Sequence, residues 1–325
     1  MPAMLRREAL IAFGLVACGS RDSGKKKIAV IPKGTTHEFW KTVHAGAVKA
    51  SREKQIEILW KGPLKEDNLK EQVDIVESFI AQKVSGIVLA PLNDAGLLPP
   101  VKAAKAAGIP VIIFDSALQG EEHVSYVATD NTAAGRLAGE RLGKLCSGKG
   151  NVLLLRYLEG SASTSQREAG FLEAIKAFPE MNVVSDNKYG GATTETASSA
   201  SESLMLAQGA DKHQIAGAFC PNESTTFGML LALQRLKLTS KVKLVGFDAS
   251  EKLLDGLASS EIQALIVQDP MNMGYLAVRT MVEHLEKVNI EKVIDTGARV
   301  VDKENMGTPE MKALLSPDLK AYLDE

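Results

Sequence analysis

The stretch Gly108-Ile109-Pro110-Val111-Ile112-Ile113-Phe114-Asp115-Ser116 decides the fold of this chain. From Ile109 to Phe114 every residue is apolar, over the length of a strand rather than of a helix. A strand with one wet face would alternate polar and apolar residues. An unbroken run therefore marks a strand buried on both faces, as in a parallel sheet. Gly108 closes the helical stretch Leu97 to Ala107, where glycine is a usual C-terminal stop. Helix, glycine, buried strand and polar end form the repeating unit of a sheet covered by helices on both faces.

The unit recurs in both directions. Toward the N-terminus, strands are predicted at Ile28 to Ile31, Ile56 to Trp60 and Gly86 to Ala90, the first and last stopped by Pro32 and Pro91. Helices are predicted at Glu38 to Lys54, with Phe39, Val43, Ala47 and Ala50 at helical spacing, and at Asn68 to Ala81, with Leu69, Val73, Val76 and Ile80 on one face. Toward the C-terminus the helices are Thr132 to Cys146, Thr164 to Ala177, Thr193 to Ala207, Ser224 to Leu236, Glu251 to Ala258 and Asn272 to Lys287. They alternate with strands Val152 to Leu155, Asn182 to Val184, Ile215 to Phe219, Val242 to Phe247 and Ile262 to Val267. So many units exceed one core. The reading is α/β, with two doubly wound parallel-sheet lobes.

Residues 1–26 read as a lipoprotein signal and tether. Arg6 and Arg7 precede the apolar run Ala9 to Ala17, and Leu15-Val16-Ala17 leads into Cys18-Gly19-Ser20. Charge, then an apolar core, then small residues is the order of a secretory leader. A cysteine at the cut resembles the bacterial lipobox, which makes Cys18 the expected lipidation site. The run falls short of the ~20 residues that span a bilayer. The mature chain is then expected in the periplasm or cell envelope, held by a lipid anchor.

Composition narrows the functions further. The 325 residues carry a net charge of -2, with no basic excess for nucleic acid. Beyond Cys18 there are only Cys146 and Cys220, expected as two buried free thiols, and no cysteine spacing describes a metal site. His37 and His44 are expected on one helix without a third ligand, so no metal and no cofactor is assigned.

Ligands of doubly wound sheets sit beyond the carboxyl ends of the strands, and those ends carry the candidate site. After the first strand comes Lys33-Gly34-Thr35-Thr36-His37-Glu38-Phe39-Trp40. The later strand ends bring Asp115-Ser116, Thr129-Asp130-Asn131, Asn222-Glu223, Asp248 and Gln268-Asp269-Pro270. Asparagine at such a place also serves as a helix cap, a reading open for Asn131 and Asn222. Asp115, Asp248 and Gln268 are not placed simply to cap. Carboxylates and amides engage adjacent hydroxyls, and ring faces lie against the C–H side of a sugar. The mixture suits a neutral polyhydroxy ligand.

These segments carry a resemblance. Ile28-Ala29-Val30-Ile31 with Glu38-Phe39-Trp40, Gly108 to Ile112 with Phe114-Asp115, and Val127 to Asn131 with Ala134-Gly135 are similar to the ribose-binding-protein group of type I periplasmic solute receptors. So are Arg167 to Phe171, Val245 to Asp248, and Gln268-Asp269-Pro270 with Gly274. The resemblance covers about Lys27 to Val301. It implies two lobes joined by three strands, here 27–129 plus 269–297 and 130–268 plus 298–325. It also implies a monomeric receptor for a small-molecule sugar or polyol, which docks on the permease of an ABC-type importer. The candidate ligand-binding residues are His37, Phe39, Trp40, Asp115, Ser116, Asn131, Arg167, Asn222, Asp248 and Gln268.

Two departures stand out. The ribose-type pattern has arginine directly after the first-lobe aspartate, where this chain has Ser116. It has another arginine two residues before the position of Arg167, where this chain has Ser165. Arg167 is left either to reach the ligand or to brace the second lobe. The second-lobe aromatic falls near Gly191, with Tyr189 close by, so the pocket is not expected to be a ribose pocket.

Three rival readings remain at this stage. One is a receptor for a furanose-like signalling molecule. The second is a glycoside hydrolase using Asp115 and Asp248. The third is a repressor sensor, which would need a DNA-binding helix-turn-helix where this chain has its leader.

Overall fold

The computed structural model describes residues 25–209 and 215–323, so Cys18 and its leader lie outside the described residues. The first elements are β1 (Lys27–Ile31), α1 (Glu38–Lys54), β2 (Glu57–Trp60), α2 (Leu69–Ala81), β3 (Gly86–Leu89), α3 (Leu98–Ala106), β4 (Val111–Phe114) and β5 (Ser125–Ala128). Then come α4 (Asn131–Leu145), β6 (Lys149–Arg156), α5 (Ala162–Ile175), β7 (Glu180–Tyr189), α6 (Thr194–Ala207), β8 (Ile215–Phe219), α7 (Glu223–Arg235) and β9 (Lys243–Phe247). The chain ends with α8 (Glu251–Ala258), β10 (Ala264–Gln268), α9 (Pro270–Leu285), β11 (Val293–Asp295), β12 (Ala298–Val301) and α10 (Pro309–Leu315).

The strands form two sheets, ordered β11-β5-β4-β3-β1-β2 and β12-β10-β9-β8-β6-β7. Every pairing is parallel except that of β10 with β12. Alternate residues of β1 show why the central strands read as continuous apolar runs. Ile28 and Val30 join one core with α1 and α9, while Ala29 and Ile31 join another with α2 and α3. The second sheet repeats the arrangement: Val152 and Leu154 pack toward α4 and α5, and Leu153 and Leu155 toward α7. This is the two-lobed, doubly wound α/β architecture expected from the strand pattern.

The chain passes from one sheet to the other between β5 and α4, between β10 and α9, and between β11 and β12. The first and third passages are tied together. Thr129 Oγ1 donates to Gly297 O at 3.2 Å, and Asp295 Oδ1 accepts from the backbone N–H of Asp130 and of Gly297 at 2.9 and 2.8 Å.

Several boundaries move. β6 and β7 run well beyond the predicted Val152 to Leu155 and Asn182 to Val184, because register shifts let this edge pair continue past its apolar centre. Strands β11 and β12 and helix α10 were not predicted. The two strands are only three and four residues long and carry no continuous apolar run, so pairing rather than hydrophobic pattern defines them. His37 is the N-cap of α1, not part of the helix that holds His44. Cys146 is only half-buried, at the C-cap of α4, which corrects its assignment as a buried thiol.

Reciprocal glycines set the helix pair beneath the second sheet's strand ends. A β-carbon on Gly135 of α4 would lie 2.0 Å from Arg167 O, and one on Gly170 of α5 would lie 2.1 Å from Thr132 O. Only hydrogen at both positions lets the backbones approach, and that approach fixes where Arg167 sits. Gly170→Ala is expected to cost about 1–3 kcal/mol through overpacking. A denaturant melt compared with wild type reads this as a lowered midpoint at unchanged slope.

Candidate functional site

The two lobes present matching carboxylates. Asp115 follows β4 and Asp248 follows β9, each directly after a buried phenylalanine, and both have positive φ, 61° and 71°. Aspartate tolerates this left-handed turn better than most residues, and the turn lifts the carboxylate off the strand end. Asp248 Oδ1 accepts from Gln268 Nε2 at 2.9 Å, and Oδ2 from the backbone N–H of Glu223 at 3.0 Å. Burial raises its pKa, with the Arg167 charge and the Gln268 hydrogen bond working against the rise. Asp115 pairs through Oδ2 with Lys33 Nζ at 3.1 Å.

Arg167, 2 % exposed, lines the same cavity as these acids. Its Nε donates to Asn131 Oδ1 at 2.7 Å, its Nη1 to Pro221 O at 2.9 Å, and its guanidinium sits 3.8 Å from the centre of the Phe247 ring. Burial lowers its pKa, and the charges of Asp248 and Asp115 oppose that. Arg167 Nη2 and Gln268 Oε1 are both buried, and neither has a hydrogen-bond partner among the described residues. Leaving such groups unpaired costs about 1–3 kcal/mol each, so a donor and an acceptor wait in the same cleft for a partner.

Glu66 organises the opposite wall. Its Oε1 accepts from His37 Nδ1 and Trp40 Nε1, both at 2.7 Å, and its Oε2 accepts the Tyr157 hydroxyl, also at 2.7 Å, from the other lobe. Burial disfavours the Glu66 charge, but the His37 charge and hydrogen bond outweigh it and hold the carboxyl down at about 2. His37 is correspondingly held up at about 9: burial opposes protonation, and Glu66 overcomes it. The Phe39 and Trp40 rings meet edge to face at 4.9 Å, with Trp40 set against Phe114 of β4. The fully buried Gln72 donates to Pro32 O and Ala90 O and accepts from Leu92 N, pinning the ends of β1 and β3 on which this wall stands.

Of the residues expected from sequence, His37, Phe39, Trp40, Asp115, Arg167, Asn222, Asp248 and Gln268 line one cavity between the sheets. Asn222 is also the N-cap of α7, in a capping box with Thr225, so its two readings coexist. Asn131 and Ser116 stand behind that wall. Asn131 holds Arg167 and donates to Asp115 O at 3.3 Å, and the fully buried Ser116 accepts the Ser163 N–H at 3.0 Å. Lys33, Glu66, Tyr157, Ser163 and Thr164 also line the cavity and were not predicted. Their only sequence signal was position: Lys33 lies just past a strand end, and Ser163 and Thr164 open a helix beside a serine-rich loop.

The lining groups touch across the cleft and leave about 30 Å³ between them, so a sugar ring enters only when the lobes part. Larger hollows of about 500 and 360 Å³ flank the hinge but carry fewer convergent buried polar groups. At the cleft mouth, two glutamates cross in opposite directions. The Glu223 carboxylate lies 3.5 and 3.3 Å from the N–H groups of Glu38 and Phe39 at the start of α1, and Glu38 accepts the Glu251 N–H at 2.9 Å at the start of α8. Each acid thus meets a helix N-terminus of the other lobe, where exposed N–H groups favour negative charge. Among the described residues, no cluster of three His, Cys, Asp or Glu is arranged to hold a metal, and no helix is long and apolar enough to cross a membrane.

Comparison with known proteins agrees with this architecture. The profile of the periplasmic binding protein domain matches residues 28–288. The D-ribose/D-allose-binding protein of Pseudomonas aeruginosa is 28% identical over 303 residues, 88% of this chain and 93% of that protein. A carbohydrate transporter solute-binding protein of Agrobacterium radiobacter, solved in complex with D-arabinose, is 33% identical and superimposes with a TM-score of 0.86 over 91% of this chain and 100% of its own. An ABC transporter solute-binding protein of Agrobacterium vitis with bound D-fucose is 33% identical, with a TM-score of 0.84 over 89% of this chain and 99% of its own.

Proposed function

Because the chain belongs to the periplasmic binding protein domain family, we propose that it is the substrate-binding component of an ABC-type sugar importer, capturing one monosaccharide or polyol between its lobes. The observation that carries this reading is the pairing of Asp115 and Asp248 from opposite lobes around two unsatisfied groups, Arg167 Nη2 and Gln268 Oε1. Lys33, His37 and Arg167 balance Glu66, Asp115 and Asp248 in the same lining, which favours an uncharged ligand. His37, Phe39, Trp40, Asp115, Arg167, Asn222, Asp248 and Gln268 bind it, and Ser116 and Asn131 support them. The lobes comprise 27–129 plus 269–297 and 130–268 plus 298–325. A ligand touching both favours the closed state by its differential affinity, and the closed form docks on a membrane permease.

The test is a thermal-shift panel of monosaccharides and polyols that includes D-ribose, D-allose, D-arabinose and D-fucose. A sugar at 100 times its dissociation constant adds about 2.7 kcal/mol, a clear rise in melting temperature. The bound sugar is then recovered and analysed. Intact sugar supports a receptor, and turnover supports a hydrolase.

Closure carries a pH signature. Burial of Glu223 against α1 pushes its carboxyl from 4.5 up to about 7, with the His37 charge opposing and Asp248 adding to the rise. Since the opposite lobe supplies that burial, the carboxyl takes up a proton as the lobes meet. Its contribution to closure is full below pH 4.5 and is lost as the pH rises through about 7. Affinity for the bound sugar is expected to fall on the order of tenfold from pH 5 to pH 8. Calorimetry near pH 6 in two buffers of different ionisation enthalpy detects the uptake, and Glu223→Gln removes it.

The anchor at Cys18 is part of the same proposal. Cys18→Ser is expected to abolish fatty-acid labelling and release the protein from the membrane fraction. Unchanged membrane association would remove the anchor from the account.

A further inference from the structure

The sequence pattern expects the second lobe's aromatic near Gly191, with Tyr189 close by, and the structure supplies another. Tyr189, at the end of β7, is 44 % exposed and does not line the cavity. Tyr157, the residue directly after β6, is 1 % exposed and does line it. Its hydroxyl donates to Glu66 Oε2 across the cleft at 2.7 Å. A residue past the end of a strand has lost its ladder partners, so its buried backbone groups need others. The Tyr157 carbonyl accepts from the Gly191 N–H at 3.1 Å. Its own N–H donates to Glu168 Oε1 of α5 at 3.2 Å. Glu168 is 2 % exposed, and its Oε2 accepts from Arg156 Nη1 at 2.7 Å. Arg156 Nε donates to Asp186 O, and the guanidinium lies 6.0 Å from the centre of the Tyr189 ring. One ion pair thus meets two tyrosines. Its carboxylate ties Tyr157 at the cleft, and its guanidinium sits against Tyr189 outside it. Glu168 does not line the cavity itself. All these contacts lie within the second lobe, and only the Tyr157 hydroxyl leaves it.

We propose that Glu168 is a positioning residue for sugar capture: it holds Tyr157 in place so that the hydroxyl meets Glu66 when the lobes close. The tie between Glu168 and Tyr157 exists with the lobes open or closed, because both residues belong to one lobe. The bond from Tyr157 to Glu66 forms only on closure. A hydrogen bond to a charged carboxylate between the lobes favours the closed state, and closure coupled to binding carries that gain into the affinity. A merely structural ion pair would need Arg156, whereas positioning needs only an acceptor for the Tyr157 N–H. This inference rests on the sugar-receptor reading for its effect on affinity, but the placement of Tyr157 by Glu168 does not.

Two variants divide these roles. Glu168→Leu removes the acceptor and the ion pair together. Glu168→Gln/Arg156→Met removes the ion pair but keeps an acceptor, since the glutamine oxygen then has no guanidinium to claim it. The first measurement needs no sugar, because the tie it reads lies within one lobe. The protein is isotopically labelled at its tyrosine nitrogens, and amide hydrogen exchange of Tyr157 is followed by NMR, its signal assigned by its loss in Tyr157→Phe. Exchange is expected about tenfold faster in Glu168→Leu and near wild type in Glu168→Gln/Arg156→Met, with Tyr126 of the first sheet unchanged in both. The second measurement is calorimetry with D-ribose, D-allose, D-arabinose and D-fucose. For whichever binds, Glu168→Leu and Tyr157→Phe are each expected to lose about tenfold in affinity. Added to Tyr157→Phe, Glu168→Leu should cost less than about twofold more, and Glu168→Gln/Arg156→Met should bind near wild type. Unchanged Tyr157 exchange in Glu168→Leu, or equally fast exchange in both variants, overturns the positioning. Faster exchange with wild-type affinity overturns its part in capture, as does a loss that adds in full to that of Tyr157→Phe. Should Glu168→Leu fail to fold, a tenfold loss in Glu168→Gln/Arg156→Met makes the pair structural and overturns the proposal by itself. If wild type binds none of the four sugars while the exchange responds, Glu168 still places Tyr157 and the sugar reading is the one that fails.

Discussion

Arg167→Met reduces sugar affinity a hundredfold or more. The guanidinium is buried in the cavity that Asp115 and Asp248 also line and rests on Phe247, while Asn131 and Pro221 hold its Nε and Nη1. Methionine fills part of the volume and removes both the charge and the one free donor. Truncating one member of a buried, hydrogen-bonded charge set costs about 2–5 kcal/mol, and 2.7 kcal/mol is already a hundredfold in affinity. Titration calorimetry reads the loss. The alternative from sequence, that Arg167 only braces the second lobe, makes a different forecast. Bracing alone would lower the melting temperature while a saturating sugar still bound with near-native strength. A folded Arg167→Met protein that binds normally would therefore assign Arg167 to structure.

The carboxylates are tested next, and their backbone dictates the substitution. Asp115 and Asp248 both sit at positive φ, where alanine would add strain of its own. Asparagine keeps the turn and the shape and removes the charge. Asp115→Asn and Asp248→Asn are each expected to lower affinity tenfold or more, since one sugar hydroxyl loses a charged acceptor worth about 1.4 kcal/mol or above. The two differ in what they disturb. Asp115→Asn strips the counter-charge from Lys33, while Asp248→Asn sets an amide against Gln268 Nε2 and Glu223 N–H. Asp115→Asn should therefore also loosen the contact of Lys33 with the other lobe. Normal melting with wild-type affinity in both variants would put the site elsewhere.

Much of this was legible because central strands of doubly wound sheets must be apolar on both faces. Ile109 to Phe114 and Val242 to Phe247 announce themselves, and the residue after each inherits a place at the cleft. The same logic found Asn222 and Gln268. It could not find Glu66, which stands in the loop between β2 and α2 with no periodicity to mark it. Its role comes from three partners, one of them Tyr157 on the other lobe. Lys33 was hidden for a related reason: a lysine after a strand reads as solvated until folding puts Asp115 beside it. Asn131 and Ser116 show the converse. Both were read as ligand-binding residues, but neither lines the cavity, because side-chain direction sets them against Arg167 and Ser163.

Hinge closure around a sugar is the centre of the account, and small-angle scattering measures it directly. Tyr157 to Glu66, Lys33 to Ser163 and Glu223 to the start of α1 all join the lobes only when these meet. The scattering of the mature protein is recorded alone, at saturation with the sugar giving the largest thermal shift, and after that sugar is dialysed away. The account predicts a radius of gyration that falls on saturation, returns on dialysis, and stays high in Arg167→Met at the same sugar concentration. Saturation by a sugar with no change in the radius would contradict it.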